Sequence, residues 1–166
     1  MTDKQVSSQF LSKDAMNIKS IIGLILASAL LASCEEYKSV IPDTAVYVER
    51  NTLVDPDALH LNVAGGFDEI KKATKQTDRL GYAGILIYHG LDDEIYAFDL
   101  ACTKEVKRTV RVVTDSLVTG QAVCPVCGSV FNVAYGSGNR LSGDAPEGLR
   151  RYRVRRSGSY ITITKD

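Results

Sequence analysis

Cys124-Pro-Val-Cys-Gly-Ser-Val-Phe-Asn132 sets two thiols three positions apart in a turn and then runs into a short apolar strand. Two cysteines at that spacing can reach one tetrahedral metal ion from a tight turn. A closed site needs two further donors. The chain holds four cysteines and two histidines, His60 and His89, and neither histidine adjoins a cysteine. How many thiols are available is settled at the N-terminus.

From Ile21 to Ala32 the run IIGLILASALLA is uncharged, follows Lys19, and is too short to span a bilayer as a permanent helix. It reads as a signal-peptide core. Its end, Leu31-Ala32-Ser33-Cys34, resembles the lipobox of bacterial lipoproteins, in which the cysteine receives diacylglycerol and an acyl chain such as palmitate. The competing reading is a buried helix, and a helix apolar all round needs a larger protein to cover it. Residues 1–15 then precede the true start at Met16, residues 16–33 form the signal peptide, residues 34–44 are a polar tether, and residues 45–166 are the domain. The expected address is the bacterial cell envelope, at the periplasmic face or the cell surface. Cys34 is the lipidation site, the membrane is engaged through that anchor, and an envelope protein is the expected partner. Twenty basic and twenty acidic residues cancel, so net charge gives no case for nucleic acid.

With Cys34 lipidated, Cys102, Cys124 and Cys127 remain as disulfide or metal candidates. Thiols in an oxidising envelope tend to pair or to hold metal. Three is odd, so either one is left over from a disulfide or all three face one ion.

Short β-type runs divided by turn residues fill the rest: Ala45–Glu49, Leu59–Val63, Gly84–Tyr88, Ile95–Leu100, Thr109–Val113, Gln121–Val123, Ser129–Val133, Leu149–Arg155 and Tyr160–Thr164. That spacing predicts an all-β barrel or sandwich. GILIYHGLDDEIYAFDL, from Gly84 to Leu100, reads as a hairpin with a Gly/Asp-rich connection. Phe67–Gln76 fits either a short amphipathic helix or a loop. In LRRYRVRR, Leu149, Tyr152 and Val154 interleave with arginines, the pattern of a strand with one solvated face; the functional reading is an anion-binding patch. Asp92, Asp93 and Glu94 read as solvated turn residues. No Ser/His/Asp set, carboxylate pair or phosphate loop presents itself.

The order of parts narrows the fold. A hairpin ends in Asp99-Leu-Ala-Cys102-Thr-Lys104; then come Cys124-Pro-Val-Cys127-Gly-Ser129-Val-Phe131, the turn YGSGNRLSG, and GDAPEGLRRYRV. This resembles the Rieske domain, with its Cys-x-His loop, its Cys-x-x-His-Gly-Ser-x-Phe/Tyr loop, a glycine-rich turn, a Gly-Pro-Ala loop and a last Leu-x-x-Tyr-x-Val strand. The resemblance covers roughly Gly84 to Thr164. It implies an all-β, small antiparallel sandwich or barrel with two ligand-type loops at one end. It also implies that Cys102 and Cys124 stand at the two ligand cysteines, and that Ser129 matches a serine hydrogen-bonded to cluster sulfur.

The two histidine positions fall on Lys104 and Cys127, and a protonated lysine has no lone pair to give. Gly-Pro-Ala becomes Gly143-Asp144-Ala145, and Gly148 replaces the proline before the last strand. The expectation is therefore a non-enzymatic binding or structural module without a cofactor, stapled by a disulfide from Cys102 to the second loop or within Cys124–Cys127. The alternative is a 2Fe–2S electron carrier on Cys102, Cys124, Cys127 and an unidentified fourth ligand; His89, which follows the first strand of the hairpin, is the histidine placed to approach that site, and as a lone histidine it reads first as a surface or turn residue. Zinc on the three thiols, and a thiol oxidoreductase using Cys124-Pro-Val-Cys127, are further readings. The first lacks a visible general base, and the second lacks the helix N-terminus that usually activates such a thiol.

Overall fold

The computed structural model describes residues 38–165, so Cys34, the apolar run and the upstream extension lie outside the described residues. Among the described residues no helix is long and apolar enough to cross a membrane. Eleven strands and one 3-10 segment follow in order: β1 (Val46–Asn51), the 3-10 segment (Pro56–Asn62), β2 (Phe67–Ile70), β3 (Arg79–Leu80), β4 (Ile85–His89), β5 (Ile95–Asp99), β6 (Val113–Thr114), β7 (Gln121–Val123), β8 (Val130–Asn132), β9 (Arg140–Ser142), β10 (Arg151–Ser157) and β11 (Tyr160–Thr164). Seven strands make a nearly closed, barrel-like sheet in the order β2-β4-β5-β10-β11-β1-β3, and β6-β7-β8-β9 make a smaller one. Every pairing is antiparallel.

Both faces of the β4–β5 hairpin are buried, which explains why ILIYH and IYAFD read as continuous apolar runs rather than as alternation. Successive side chains point to opposite faces of a strand. Leu86, Tyr88, Tyr96 and Phe98 enter one core with Ala122, Phe131 and Leu149 of the small-sheet side. Ile85, Ile87, Ile95 and Ala97 enter a second core with Val48, Leu61, Ile161 and Ile163. Each fully buried Leu, Ile or Phe adds about 1.5–3 kcal/mol of transfer free energy. The hairpin is thus the shared wall of both cores. Ile41, within residues 34–44, is also buried, and Ser39 and Val40 bond to Glu147.

On β10 the expected alternation holds: Tyr152 is buried and Val154 half-buried, while Arg151, Arg153 and Arg155 are exposed. Arg151 stacks over the Tyr96 ring at 5.2 Å, which orders one end of that arginine row.

Three expectations need correction. Leu59–Asn62 is part of the 3-10 segment and Val63 caps its end, with Pro56 in its first turn, where a missing N–H costs nothing. Its buried residues are Ala58 and Leu61, three apart, whereas Leu59 and Val63 face solvent. The period is three rather than two, as 3-10 geometry requires. Within Phe67–Gln76, Phe67–Ile70 is a strand, because pairing along β4 from Phe67↔Tyr88 to Ile70↔Ile85 overrides local preference. Thr109–Val113 contributes only the start of β6 and one isolated bridge, Ala101↔Arg111.

Two buried carboxylates act on stability with opposite signs. Burial disfavours charge on Asp78, but bidentate bonds from Arg50 at 3.3 and 3.2 Å and the Lys75 and Thr74 N–H groups outweigh it and bring Asp78 to about 2. Its folded value lies below the unfolded 3.8, so it stabilises above about pH 4 and that stability is lost as pH falls toward 2, about 2 kcal/mol in all. Asp68 is pushed the other way, to about 6, chiefly by burial, and its Oδ2 has no hydrogen-bond partner. Its folded form takes up a proton first, so it adds stability as pH falls from about 6 toward 4. Urea denaturation across this range is expected to show that gain in the wild type and not in Asp68→Asn, with the loss below about pH 4 retained in both. Identical curves for the two proteins above pH 4 would contradict the assignment to Asp68.

Candidate metal centre

The first cysteine loop leaves β5 through Asp99, whose carboxylate is fully buried and accepts four hydrogen bonds. Oδ1 accepts from the Ala101 N–H at 2.8 Å and the Ala83 N–H at 3.1 Å; Oδ2 accepts from the Tyr82 N–H at 2.7 Å and the Tyr152 hydroxyl at 2.6 Å. The loop is thereby tied to β10 three residues before Cys102. It then turns back on itself: the Val106 N–H donates to the Cys102 carbonyl at 2.9 Å, and the Tyr82 hydroxyl donates to the Val106 carbonyl at 2.9 Å. The Thr103 hydroxyl donates to the Glu147 carbonyl at 2.8 Å, anchoring the loop to the segment before β10.

The second loop joins β7 to β8. Its ends are closed by the Cys124 N–H to the Ser129 carbonyl and by the Gly128 N–H to the Cys124 carbonyl, both 2.9 Å. Ser129 is fully buried, and its Oγ accepts from the Ala145 N–H at 3.1 Å. Gly143 lies at φ +90°, and a Cβ there would stand 2.5 Å from the Ser129 Cα. Only glycine permits this approach. The Gly143-Asp144-Ala145 loop is therefore pressed onto the second cysteine loop.

The fold brings Cys102, Cys124 and Cys127 together: their Sγ atoms all lie within 4.8 Å of one another, with Cys102 and Cys127 3.5 Å apart. All three are free thiols. Cys102 and Cys124 are fully buried and Cys127 is half-buried. Burial pushes the Cys102 thiol up to about 12, and the neighbouring thiols add to it against two backbone N–H groups. Burial also opposes the Cys127 thiolate, but the side-chain and backbone hydrogen bonds of Ser129, with those of Cys102 and Cys124, together outweigh it and hold Cys127 below the ordinary thiol range. The physical cause is visible in the bonding: Ser129 Oγ lies 3.2 Å from the Cys127 sulfur, and because it accepts from Ala145 its own proton is available for a thiolate.

Lys104 stands at the rim, where its ammonium donates to the Asp144 carboxylate at 2.9 Å; that hydrogen bond raises its pKa. It stays protonated and supplies no lone pair, as its side-chain type predicts. His89 sits at the opposite end of the β4–β5 ladder from Asp99, four residues and about 13 Å along the strands. Its ring bonds to the Leu61 carbonyl and to Asp93, each at 2.9 Å. His60 belongs to the 3-10 segment. Neither histidine joins the thiols.

The donor chemistry therefore excludes a centre with two cysteines and two histidines. It suits thiophilic metal: three converging sulfurs, two of them in a dry pocket, with a hydroxyl beside the third. The expectation of no cofactor is thus unsupported, because three thiols converge within 4.8 Å of one another. The residue that sequence reasoning missed is Asp99, whose one signal was a charge closing an apolar run three positions before Cys102.

No family model and no curated protein matches the sequence. Among solved structures, the chain is similar to the cyanobacterial plasma membrane Rieske protein PetC3 from Synechocystis PCC 6803, at 24% identity and a TM-score of 0.48, over 70% of this chain and 98% of that one. It is similar also to a chain in the complex of oxygenase and ferredoxin in carbazole 1,9a-dioxygenase, at 17% identity and a TM-score of 0.48, over 70% of this chain and 100% of that one. A third is the Sphingomonas yanoikuyae B1 ferredoxin, at 13% identity and a TM-score of 0.43, over 64% and 94% of the two chains.

Proposed function

We propose that this chain is a Rieske-like electron-transfer protein that holds a 2Fe–2S cluster through the thiolates of Cys102, Cys124 and Cys127, carried on an envelope lipoprotein anchored at Cys34. The convergence of the three sulfurs within 4.8 Å supports this reading. Bound iron supplies a one-electron couple. A fourth donor is required. Among the described residues the converging side chains of metal-ligand type are the three cysteines, while Asp144 is turned to Lys104 at the rim.

The protein residues set the electronic character of the site. Thiolates in place of imidazoles concentrate negative charge, which favours the oxidised cluster and lowers its potential. Ser129 Oγ, which accepts from the Cys127 thiol at 3.2 Å, can donate its own proton once that sulfur is a thiolate, and Lys104 places a cation at the rim; both moderate that charge. Ala145 and Cys124, both fully buried, exclude water from the inner side.

The test uses the full chain, recovered from a bacterial membrane fraction with detergent and reconstituted anaerobically with ferrous iron and sulfide. Two irons per chain, thiolate-to-iron absorption and a potential near about −400 mV are expected, well below the roughly −150 to +300 mV of histidine-ligated centres. Failure of the reduced protein to take up iron would return the chain to a cluster-free binding module. Recovery in the soluble fraction alone would remove the anchor without touching the iron claim.

A further inference from the structure

We infer that the same three thiols carry a second activity: in the metal-free protein Cys127 and Cys102 form an attacking and resolving pair that exchanges with low-molecular-weight disulfides and closes the site to metal. The inference rests on the proposed function only in that these thiols are the iron donors; the exchange itself needs no metal.

Position assigns the roles. Cys127 is the one member of the trio that solvent reaches, since Cys102 and Cys124 are fully buried. Cys127 is itself partly exposed, and it sits between exposed Val126 and Gly128, where a Cβ would meet no atom within 4 Å. Only an accessible thiolate can attack an incoming disulfide. The resolving thiol must then lie close to the attacked sulfur, and Cys102 is 3.5 Å away across the gap between the two loops. Both loops are fixed by their own bonds, through Asp99 and Thr103 on one side and Ser129 on the other. A bridge therefore requires side-chain rotation and little backbone movement.

The chemistry balances without any further oxidant. The Cys127 thiolate attacks one sulfur of RSSR, forming a Cys127–SR mixed disulfide and releasing RS⁻. Cys102, giving up its proton, attacks the Cys127 sulfur and releases the second RS⁻. Two protein thiols are oxidised to one disulfide, and one small disulfide is reduced to two thiols. The Cys124 thiol is left alone, with two of its three companion donors consumed, so the oxidised protein cannot bind iron.

The experiment treats reduced, chelator-stripped full-length protein with glutathione disulfide and maps the products by mass spectrometry. The expected result is a Cys102–Cys127 bridge, two glutathiones released per chain, an alkylatable Cys124, and no iron uptake until a reductant is added. Cys102→Ser should accumulate glutathione on Cys127, and Cys127→Ser should slow the exchange roughly tenfold or more. Glutathione trapped on Cys124, a Cys124–Cys127 bridge, or undiminished exchange in Cys127→Ser would overturn the proposal. If reduced protein takes up no iron but exchanges as described, the proposed cluster fails and this inference stands; if it loads iron but does not exchange, the reverse holds.

Discussion

An Asp99→Ala variant is expected to lose most or all of the domain's stability and to expose Cys102. The Asp99 carboxylate is fully buried and satisfies four donors: the N–H groups of Tyr82, Ala83 and Ala101 and the hydroxyl of Tyr152. Truncation leaves all four without their acceptor in a region that water does not reach. A buried donor left unmet costs about 1–3 kcal/mol, so even the low end totals about 4 kcal/mol. Small domains have only about 5–15 kcal/mol to lose. Nor can the backbone relax easily. Gly81, at φ +70°, is packed so closely that a Cβ there would stand 2.3 Å from the Tyr152 hydroxyl.

A graded series separates this from a general loss of packing. Tyr152→Phe removes one donor and leaves the carboxylate with three, at a cost of about 1 kcal/mol. Asp99→Asn keeps the shape, but its amide N–H₂ group turns donors toward donors, so it falls between the two. Urea midpoints should fall in the order wild type, Tyr152→Phe, Asp99→Asn, Asp99→Ala, and a thiol reagent should reach Cys102 in the same order. An Asp99→Ala protein that unfolds at the wild-type midpoint would show that the four bonds do not hold the loop.

Changing Cys124 to alanine is expected to abolish stoichiometric iron binding while leaving the domain folded. Two thiols then remain, one on each loop, too few for both irons of a cluster to keep a pair of protein donors. Cys124 is buried beside Phe131 and Val133 in the first core, so alanine removes one sulfur from an apolar wall and leaves a small cavity. Serine at this position is the informative companion: it restores volume but buries a hydroxyl, costing about 1–3 kcal/mol if unbonded, and is a poor donor to thiophilic metal. Iron per chain and visible absorption should drop to background in both variants, while the far-ultraviolet circular dichroism stays that of the wild type. Full iron loading in a folded Cys124→Ala protein would show that iron, if bound at all, sits elsewhere.

Local sequence carried much of the architecture. β7 and β11 fall where their β-type runs do, and the alternation along β10 placed Tyr152 inside and the arginines outside. Apolar runs in β4 and β5 marked a hairpin, because burial on both faces leaves no polar positions to blur the signal. Two-residue β3 is too short to carry a period, and β9 escaped notice because all three of its residues are exposed and leave no apolar pattern. The 3-10 segment was hidden for a different reason: Leu59, Leu61 and Val63 mimic a strand until the fold decides which side has a wall to pack against.

The sequence by itself determined the all-β class, the pair of cysteine loops and the loss of both histidines from the expected donor positions, because each depends on residue types and spacings within one short stretch. Only the tertiary structure decided which thiols meet, that His89 lies at the wrong end of its strand, and that Asp99 anchors the first loop. Cys102 and Cys127 are separated by 25 positions, and Asp99 and Tyr152 by 53. Contacts at such separations exist because the sheets close and carry distant segments together, and no local period or propensity encodes that closure.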